Sequence, residues 1–330
     1  MSSTFKTPCM KAIAVAICAL FIAGCAVNQP GELGGVPDPN AAPGVTLPAK
    51  LKMGDDGQPT LSVYVKDTQK IEDMPLEKYL EGVLAGEMKN DWPLEALKAQ
   101  AILARTFVLK FLEEKQSKYP GADISTDIEE AQAYNAEHVN DRIRQAVSET
   151  RGLVLSADGE LPFSWFHAHS GGLTAGAKEG LEYEKAEPAY VWIVPGRESD
   201  KAPEDTARWT ATFSAADTLR AATKVGASGS ALSSIQIGER GESGRVTTLI
   251  VNGASVPAGS FRIALGSTEM KSTLLEDVSF EGGKVTFKGK GYGHGVGMSQ
   301  WGAYGMAEEG QQAEQIVTYY FSGVQVVRAW

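Results

Sequence analysis

Leu76-Glu77-Lys78-Tyr79-Leu80-Glu81-Gly82-Val83-Leu84-Ala85-Gly86-Glu87-Met88, followed by Pro93-Leu94-Glu95-Ala96-Leu97-Lys98-Ala99-Gln100-Ala101, decides how this chain is read. Met74-Pro75 opens a helical pattern in which Leu76, Leu80 and Val83 recur at steps of four and three. The next place in that series is Glu87. A carboxylate thus stands where the pattern reserves a core residue, and burial there favours its protonated form. A helix already ended at Gly86 would instead leave Glu87 as a solvated end residue, and the pattern alone leaves both readings open.

Working outward, Asn90-Asp91-Trp92-Pro93 breaks the pattern, and Pro93 suits the first position of a second helix, where its missing N–H is not needed. Leu94, Leu97, Ala101, Ala104, Val108 and Phe111 form a core stripe on that helix, flanked by Gln100 on one side and Arg105 on the other. An arginine in such a place is ordinarily a half-exposed stem. Upstream, Leu61 to Tyr64 alternates like a strand. Downstream, Asn140 to Thr150 reads as a third helix stopped by Gly152, and Leu153–Leu155 with an Asp158-Gly159 turn reads as a β-hairpin. The second arm of that hairpin is expected to run through Phe163, Trp165 and Phe166 into His167-Ala168-His169-Ser170-Gly171-Gly172. Residues from about 209 to 285 alternate short helical and strand-like pieces with glycine-rich turns, a mostly β portion with no chemistry of its own. Glycine then occupies every second position from Gly289 to Gly297; an extended backbone would be bare on that face, open to close approach by a ligand or a neighbouring chain. Ser299 can cap a short helix from Gln300 to about Glu309, Gly310 can end it, and Ile316, Val317, Tyr320 and Phe321 stripe a last one.

The front of the chain sets the expected compartment. Lys6 and Lys11 precede an apolar run from Ala12 to Ala23 that ends in Ile22-Ala23-Gly24-Cys25. That is a secretory signal over residues 1–24, too short for a stable membrane span, and its end resembles a bacterial lipoprotein cleavage box with Cys25 as the lipidated residue. An ordinary signal peptide with an incidental cysteine is the blander reading. Residues 25–50, rich in Pro, Gly and Asn, read as a flexible tether, and the folded domain is expected over 51–330. Ala26 after Cys25 resembles the sorting signal for the outer membrane, if the cell has two. All three cysteines precede the domain, which rules out a disulfide or thiolate metal site within it. Loss of residues 1–24 removes two lysines and no acid, so 31 basic against 41 acidic residues become 29 against 41, a net charge of −12. Such a balance argues against nucleic acid as partner.

Several chemistries can be set aside. Gly291-x-Gly293 and Gly295-x-Gly297 lack the third glycine and the ribose-binding acid of a dinucleotide loop, and no Gly-Lys-Ser/Thr follows. His138, His167, His169 and His294 are the only histidines. His167 and His169 share a strand face and could begin a zinc site, but no carboxylate or cysteine at short spacing completes it. Ser170 and Ser299 lie near histidines, yet neither sits in a Gly-x-Ser-x-Gly elbow. No cofactor is expected.

The helical block at Leu76–Met88, its continuation through Pro93–Ala101 and Ala104-Arg105-Thr106, the block His167–Gly172, and Gly291-Tyr292-Gly293-His294-Gly295-Val296-Gly297-Met298-Ser299-Gln300-Trp301-Gly302-Ala303 together closely resemble the SpoIID/LytB family. The resemblance implies an α+β fold, a SpoIID-like mixed helix and sheet domain with a mostly β subdomain. It implies a peptidoglycan lytic transglycosylase that cleaves the MurNAc–GlcNAc bond, in the best-known members on strands stripped of stem peptides. The family's essential glutamate maps onto Glu87, which joins the inward-facing carboxylate and the motif glutamate in one residue. Gln100, Arg105, His167, Ser170, His294, Ser299 and Gln300 are carried over in the same way as groove-lining residues. Some members bind zinc through the histidine of the His-x-x-Ser block and two downstream cysteines; here Leu173 and Glu179 fall near those places, so no structural zinc is expected. The LytB branch is associated with enhancing a cell-wall amidase, which adds an amidase as an expected partner beside the glycan strand and, through the lipid, the membrane.

In a lytic transglycosylase the C6 hydroxyl of MurNAc attacks C1 and leaves a 1,6-anhydro end, so one glutamate serves as acid and then as base. Val83, Met88 and Trp92 are expected to give Glu87 the apolar setting this needs, and Arg105 to pair with the lactyl carboxylate of a denuded sugar. Two alternatives belong to other classes: a hydrolase with a second carboxylate, Asp91 or Glu95, and a non-catalytic glycan-binding partner of an amidase.

Overall fold

The computed structural model describes residues 44–330; the signal, Cys25 and most of the tether lie outside them. The chain opens with strands β1 (Lys52–Met53), β2 (Pro59–Val65) and β3 (Lys70–Pro75). Helices α1 (Leu76–Glu87) and α2 (Leu94–Glu114), strand β4 (Ile124–Ser125), helix α3 (Asp141–Glu149), strands β5 (Leu153–Ser156) and β6 (Phe166–His167), and short helices α4 (Ala177–Leu181) and α5 (Glu204–Ala207) follow. Next come β7 (Arg208–Ser214), α6 (Ala215–Lys224), β8 (Ile235–Ile237), β9 (Thr248–Val251), β10 (Ala254–Pro257), α7 (Ala258–Leu265), β11 (Leu275–Glu281) and β12 (Lys284–Lys290). The chain closes with β13 (Met298–Ser299), α8 (Gln300–Glu308), α9 (Ala313–Tyr320) and β14 (Gln325–Arg328). This is the mixed α+β architecture the sequence implies.

The stripes read from the sequence form the main core. Leu76, Leu80 and Val83 of α1 and Leu97, Ala101, Ala104 and Val108 of α2 are all fully buried in one cluster, each large aliphatic chain contributing roughly 1.5–3 kcal/mol. The opposite face of α2 is buried too: Ala96, Ala99, Ile102 and Leu103 join α9 and β14 residues in a second cluster. α2 is therefore a central helix buried on two faces, with Lys98 and Lys110 partly exposed and Glu113 and Glu114 exposed at its end. Residues 209–287 gather a core of their own around Phe261, Phe287 and Leu249. They carry two three-stranded sheets, ordered β10-β9-β8 and β11-β12-β7.

Two local expectations are corrected. The hairpin after β5 does not form: Asp158 and Gly159 adopt the left-handed turn conformation, but only Ala157 and Glu160 pair across it. β5 pairs instead with the distant β14, antiparallel from Leu153↔Arg328 to Ser156↔Gln325, and β6 pairs in parallel with β13. The alternating-glycine segment is extended only at Gly289, within β12, and not beyond Lys290. Gly291, Gly293, Gly295 and Gly297 all have φ between 70° and 105°, a conformation that side-chain-bearing residues avoid. The close approach expected on the glycine face does occur, from residues 165–171 and 245 of the same chain: a Cβ at Gly293 would lie 2.8 Å from His167 Cβ, and one at Gly295 would enter the Arg245 guanidinium.

Candidate active site

Glu87 is the last residue of α1. The helix thus runs one residue past the break the alternative reading would have placed at Gly86. Gly82 and Gly86 leave its flank bare, and the loop before α3 is pressed onto it. A Cβ at Gly86 would sit 2.6 Å from the Ala133 carbonyl carbon, and one at Gly82 would enter the Tyr134 ring. Asn135 N–H donates to Gly82 C=O at 2.8 Å. This docking brings the Ala133 N–H to 2.7 Å from Glu87 Oε1.

The glutamate is half-buried, and Val83, one turn before it, Met88 and Trp92 are buried. Burial drives its pKa up to about 7, against the opposing pull of the Ala133 N–H and the Gln300 side chain. The carbonyl-rich end of α1 acts in the same direction as burial, since it disfavours a negative charge. Glu87 opens on a cleft of about 510 Å³ lined by Ala85–Asp91 and His138. Lys89 is the one lysine or arginine among those lining residues.

Gln300 connects the C-terminal block to this centre. It stands at the start of α8, where Ser299 caps the helix by accepting the Gly302 N–H at 3.2 Å, as the sequence predicts. Gln300 Nε2 reaches the main-chain oxygen of Glu87 at 3.3 Å and Gln100 Oε1 at 3.4 Å. The next residue, Trp301, packs its ring 4.5 Å from that of Trp92. The first and last motif blocks therefore meet at Glu87, with Gln100 behind Gln300.

Arg105 is not in the groove, contrary to expectation. Its fully buried guanidinium is taken by Glu77, Nε to Oε1 at 3.0 Å and Nη2 to Oε2 at 2.6 Å, and by Leu153 C=O at 2.9 Å. The cause is the burial of every α2 residue from Ala99 to Thr106: a cation there needs an internal partner. His167, Ser170 and Ser299 are also buried rather than groove-lining. His167 Nδ1 lies 3.1 Å from Val296 C=O, and burial, with His294 and Arg245 nearby, pushes its pKa well below the ordinary histidine range. Half-buried His294 packs its ring 5.8 Å from that of His167; burial and the charges of Arg262 and Arg245 push it down to about 3. Both imidazoles are neutral at physiological pH. These residues form the layer beneath Gln300: His167 pairs with Ser299 in β6·β13, and Trp301 N–H donates to Ala168 C=O at 3.0 Å.

Of the two candidate second carboxylates, Glu95 is engaged elsewhere, by Lys98 at 2.8 Å and by the Ala313 N–H at 2.9 Å. Asp91 lines the cleft. Around Leu173 and Glu179 the chain is tied by hydrogen bonds. Arg245 donates to Leu173 C=O at 3.0 Å, and Glu179 accepts the Gly176 and Ser243 N–H groups. Among the described residues no three His, Cys, Asp or Glu side chains converge as a metal site would require. The sequence reading missed Ala133, Glu198 and Arg245. The first contributes only backbone, and the other two lie in stretches with neither periodicity nor motif.

A fold built on α1 and α2 with this glutamate at their junction defines a class. The model of the stage II sporulation protein (SpoIID) family matches residues 64–156, and that of a domain of unknown function, DUF8618, matches residues 187–297. The chain is 31% identical to the stage II sporulation protein D of Bacillus subtilis, over 82% of this chain and 79% of that protein. It is 32% identical to an uncharacterized protein of Brachyspira hyodysenteriae, over 78% and 68%. An amidase enhancer of Bacillus subtilis is 28% identical over 74% of this chain but only 39% of its own length. The chain belongs to the SpoIID family.

Proposed function

We propose that the protein is a peptidoglycan lytic transglycosylase with Glu87 as its one acid/base, acting at the cell wall. The observation that carries this reading is a cleft-lining carboxylate with no cationic partner among the described residues, held by one backbone N–H and raised to about 7. A group so poised is protonated in a large fraction of molecules near neutrality and returns readily to the carboxylate, as alternating acid and base roles demand.

The reaction balances with this residue alone. Protonated Glu87 gives its proton to the glycosidic oxygen as the C1–O bond breaks. The C6 hydroxyl of the same MurNAc closes on C1, and its proton passes to the Glu87 carboxylate, restoring the starting state. No water is consumed. Ala133 N–H holds the carboxylate through both halves, and Gln300 holds the main-chain oxygen of the same residue. With Arg105 committed to Glu77, the lactyl carboxylate of a denuded sugar is assigned in this reading to exposed Lys89, the cation of the cleft lining.

Export as a lipoprotein through Cys25, with the domain tethered to an envelope membrane, belongs to the same proposal. A role beside a cell-wall amidase is a second reading, favoured by the relative named an amidase enhancer. Mass spectrometry of glycan strands incubated with the domain tests the first: 1,6-anhydro ends are expected. Reducing ends would instead mark a hydrolase, with Asp91 as its second carboxylate, and intact strands a binding partner of the amidase.

A further inference from the structure

Gly196–Ser199 has no part in the reaction above, yet it touches both later motif blocks. Glu198 Oε1 accepts the Ser170 N–H at 2.8 Å and the Ser299 hydroxyl at 3.1 Å. One residue on, the Ser199 N–H donates to Trp301 C=O at 3.1 Å. Gln300 is therefore bracketed, with its neighbour on either side tied to Glu198 or Ser199. The Ser299 oxygen that donates to Glu198 also caps α8 through Gly302 N–H, so one atom fixes both the start of the helix and its seat. No side chain intervenes: a Cβ at Gly305 would come within 2.5 Å of Arg197 O and 3.0 Å of Ser199 N.

A nucleophilic triad is the other use to which these groups could be put, and the hydrogen bonding excludes it. His169 Nδ1, 3.9 Å from Glu198 Oε1, accepts the Gly171 N–H at 2.9 Å and so has no proton to offer the carboxylate. Ser170 and Ser299 are fully enclosed, their hydroxyls bonded to a backbone N–H and to Glu198.

The geometry points to Glu198 as a positioning residue: acting through Ser299, it sets the first turn of α8 and thereby the reach of the Gln300 amide to Glu87. The inference rests on the reading of Glu87 as the acid/base. What the role requires of Glu198 is an acceptor oxygen at the right place, whereas a second catalytic carboxylate would need its charge or its proton. The groups that share its surroundings are His169, Arg245, Tyr319 and Tyr320. Those around Glu87 are Lys89, Asp91 and His138 in the cleft and Tyr79 behind it.

Two measurements on the full chain test the role: glycan cleavage, and the titration of the Glu87 carboxyl by 13C NMR, with the signal assigned by its loss in Glu87→Gln. Glu198→Ala is expected to lower kcat by about 10- to 100-fold with KM within about twofold. It should also move the Glu87 titration to higher pH, because the Gln300 amide that favours the carboxylate is withdrawn. Gln300→Ala should give the same shift, and the double variant no more. Glu198→Gln, which keeps the acceptor oxygen, should stay near wild type in both readouts. If Glu198→Ala does not fold, Glu198→Asp, which draws the carboxylate back by one methylene, takes its place with the same expected shift. An unmoved Glu87 titration in the folded Ala or Asp variant overturns the proposal. So does a Glu198→Gln protein as inactive as Glu198→Ala. The titration needs no glycan, so a wild type that cleaves nothing would count against the transglycosylase reading while the titration still decides the role of Glu198.

Discussion

Helix α1 carries one glutamate in its first turn and another at its last residue, and the molecule treats them in opposite ways. Glu77 meets the buried Arg105 in a two-pronged ion pair and also accepts the Gly152 N–H at 3.1 Å. Glu87 is given one backbone N–H, a nearby amide and the unfavourable end of the helix dipole. The first carboxylate is locked into the fork of Arg105, which lets α2 carry a cation through the core. The second is left uncompensated and so is free to exchange a proton. The chemistry lies less in the residue type than in what is withheld from it.

Removing charge at the two ends should therefore act with opposite signs. Glu77→Gln leaves the enclosed Arg105 guanidinium without its counter-charge and is expected to cost about 3 kcal/mol of stability, measured by denaturant unfolding at pH 7. A loss within experimental error of zero would break the comparison, since it would mean that α2 tolerates an unpaired cation.

At the other end Glu87→Gln should stabilise, and in a way that depends on pH. The folded pKa of Glu87, about 7, lies above the ordinary carboxyl value of 4.5. The native state therefore binds more protons than the unfolded chain between those values, and wild-type stability falls as pH rises through that window. The variant has nothing to lose there. It should match the wild type at pH 4 and exceed it by about 1–3 kcal/mol at pH 8. Equal stability across this range would show that the Glu87 carboxylate is well solvated in the cleft.

A finer test asks why Lys89 does not do for Glu87 what Arg105 does for Glu77. Lys89 is exposed beside the cleft, where a single charge pair is worth at most about 1 kcal/mol. If Lys89 serves the substrate, Lys89→Met should lower kcat/KM about fivefold on strands with free lactyl carboxylates and leave unchanged those whose lactyl group is amide-linked to a stem peptide. Equal losses on both would remove Lys89 from recognition of the carboxylate.

The same contrast explains what could be read from the sequence. The stripes of α1 and α2, the strand at Leu61–Tyr64 and the Ser299 cap are local patterns, and each stands where the sequence puts it. One stripe alone leaves Arg105 free to face the groove, but α2 buries a second face through Ala96, Ala99, Ile102 and Leu103, and Arg105 is enclosed with it. The hairpin failed for a different reason: β5 finds its partner in β14 at the far end of the chain, a pairing with no local signal. The glycine run did signal close approach, but its period of two suggested an extended strand, where the backbone instead turns through positive φ at Gly291, Gly293, Gly295 and Gly297. Ala133 and Glu198 reach the site through contacts far apart in sequence, and nothing in their own neighbourhoods marks them.

The central claim is that Glu87 alone carries the proton in both halves of the reaction, and Glu87→Gln on stem-peptide-free strands tests it most directly. Glutamine keeps the size and the acceptor for Ala133 N–H but has no proton to give the leaving oxygen. The account predicts a folded variant, melting no lower than wild type at pH 8, that still binds glycan while its yield of 1,6-anhydro ends falls by about 10²- to 10⁴-fold. A folded Glu87→Gln protein that forms anhydro ends at the wild-type rate would contradict it.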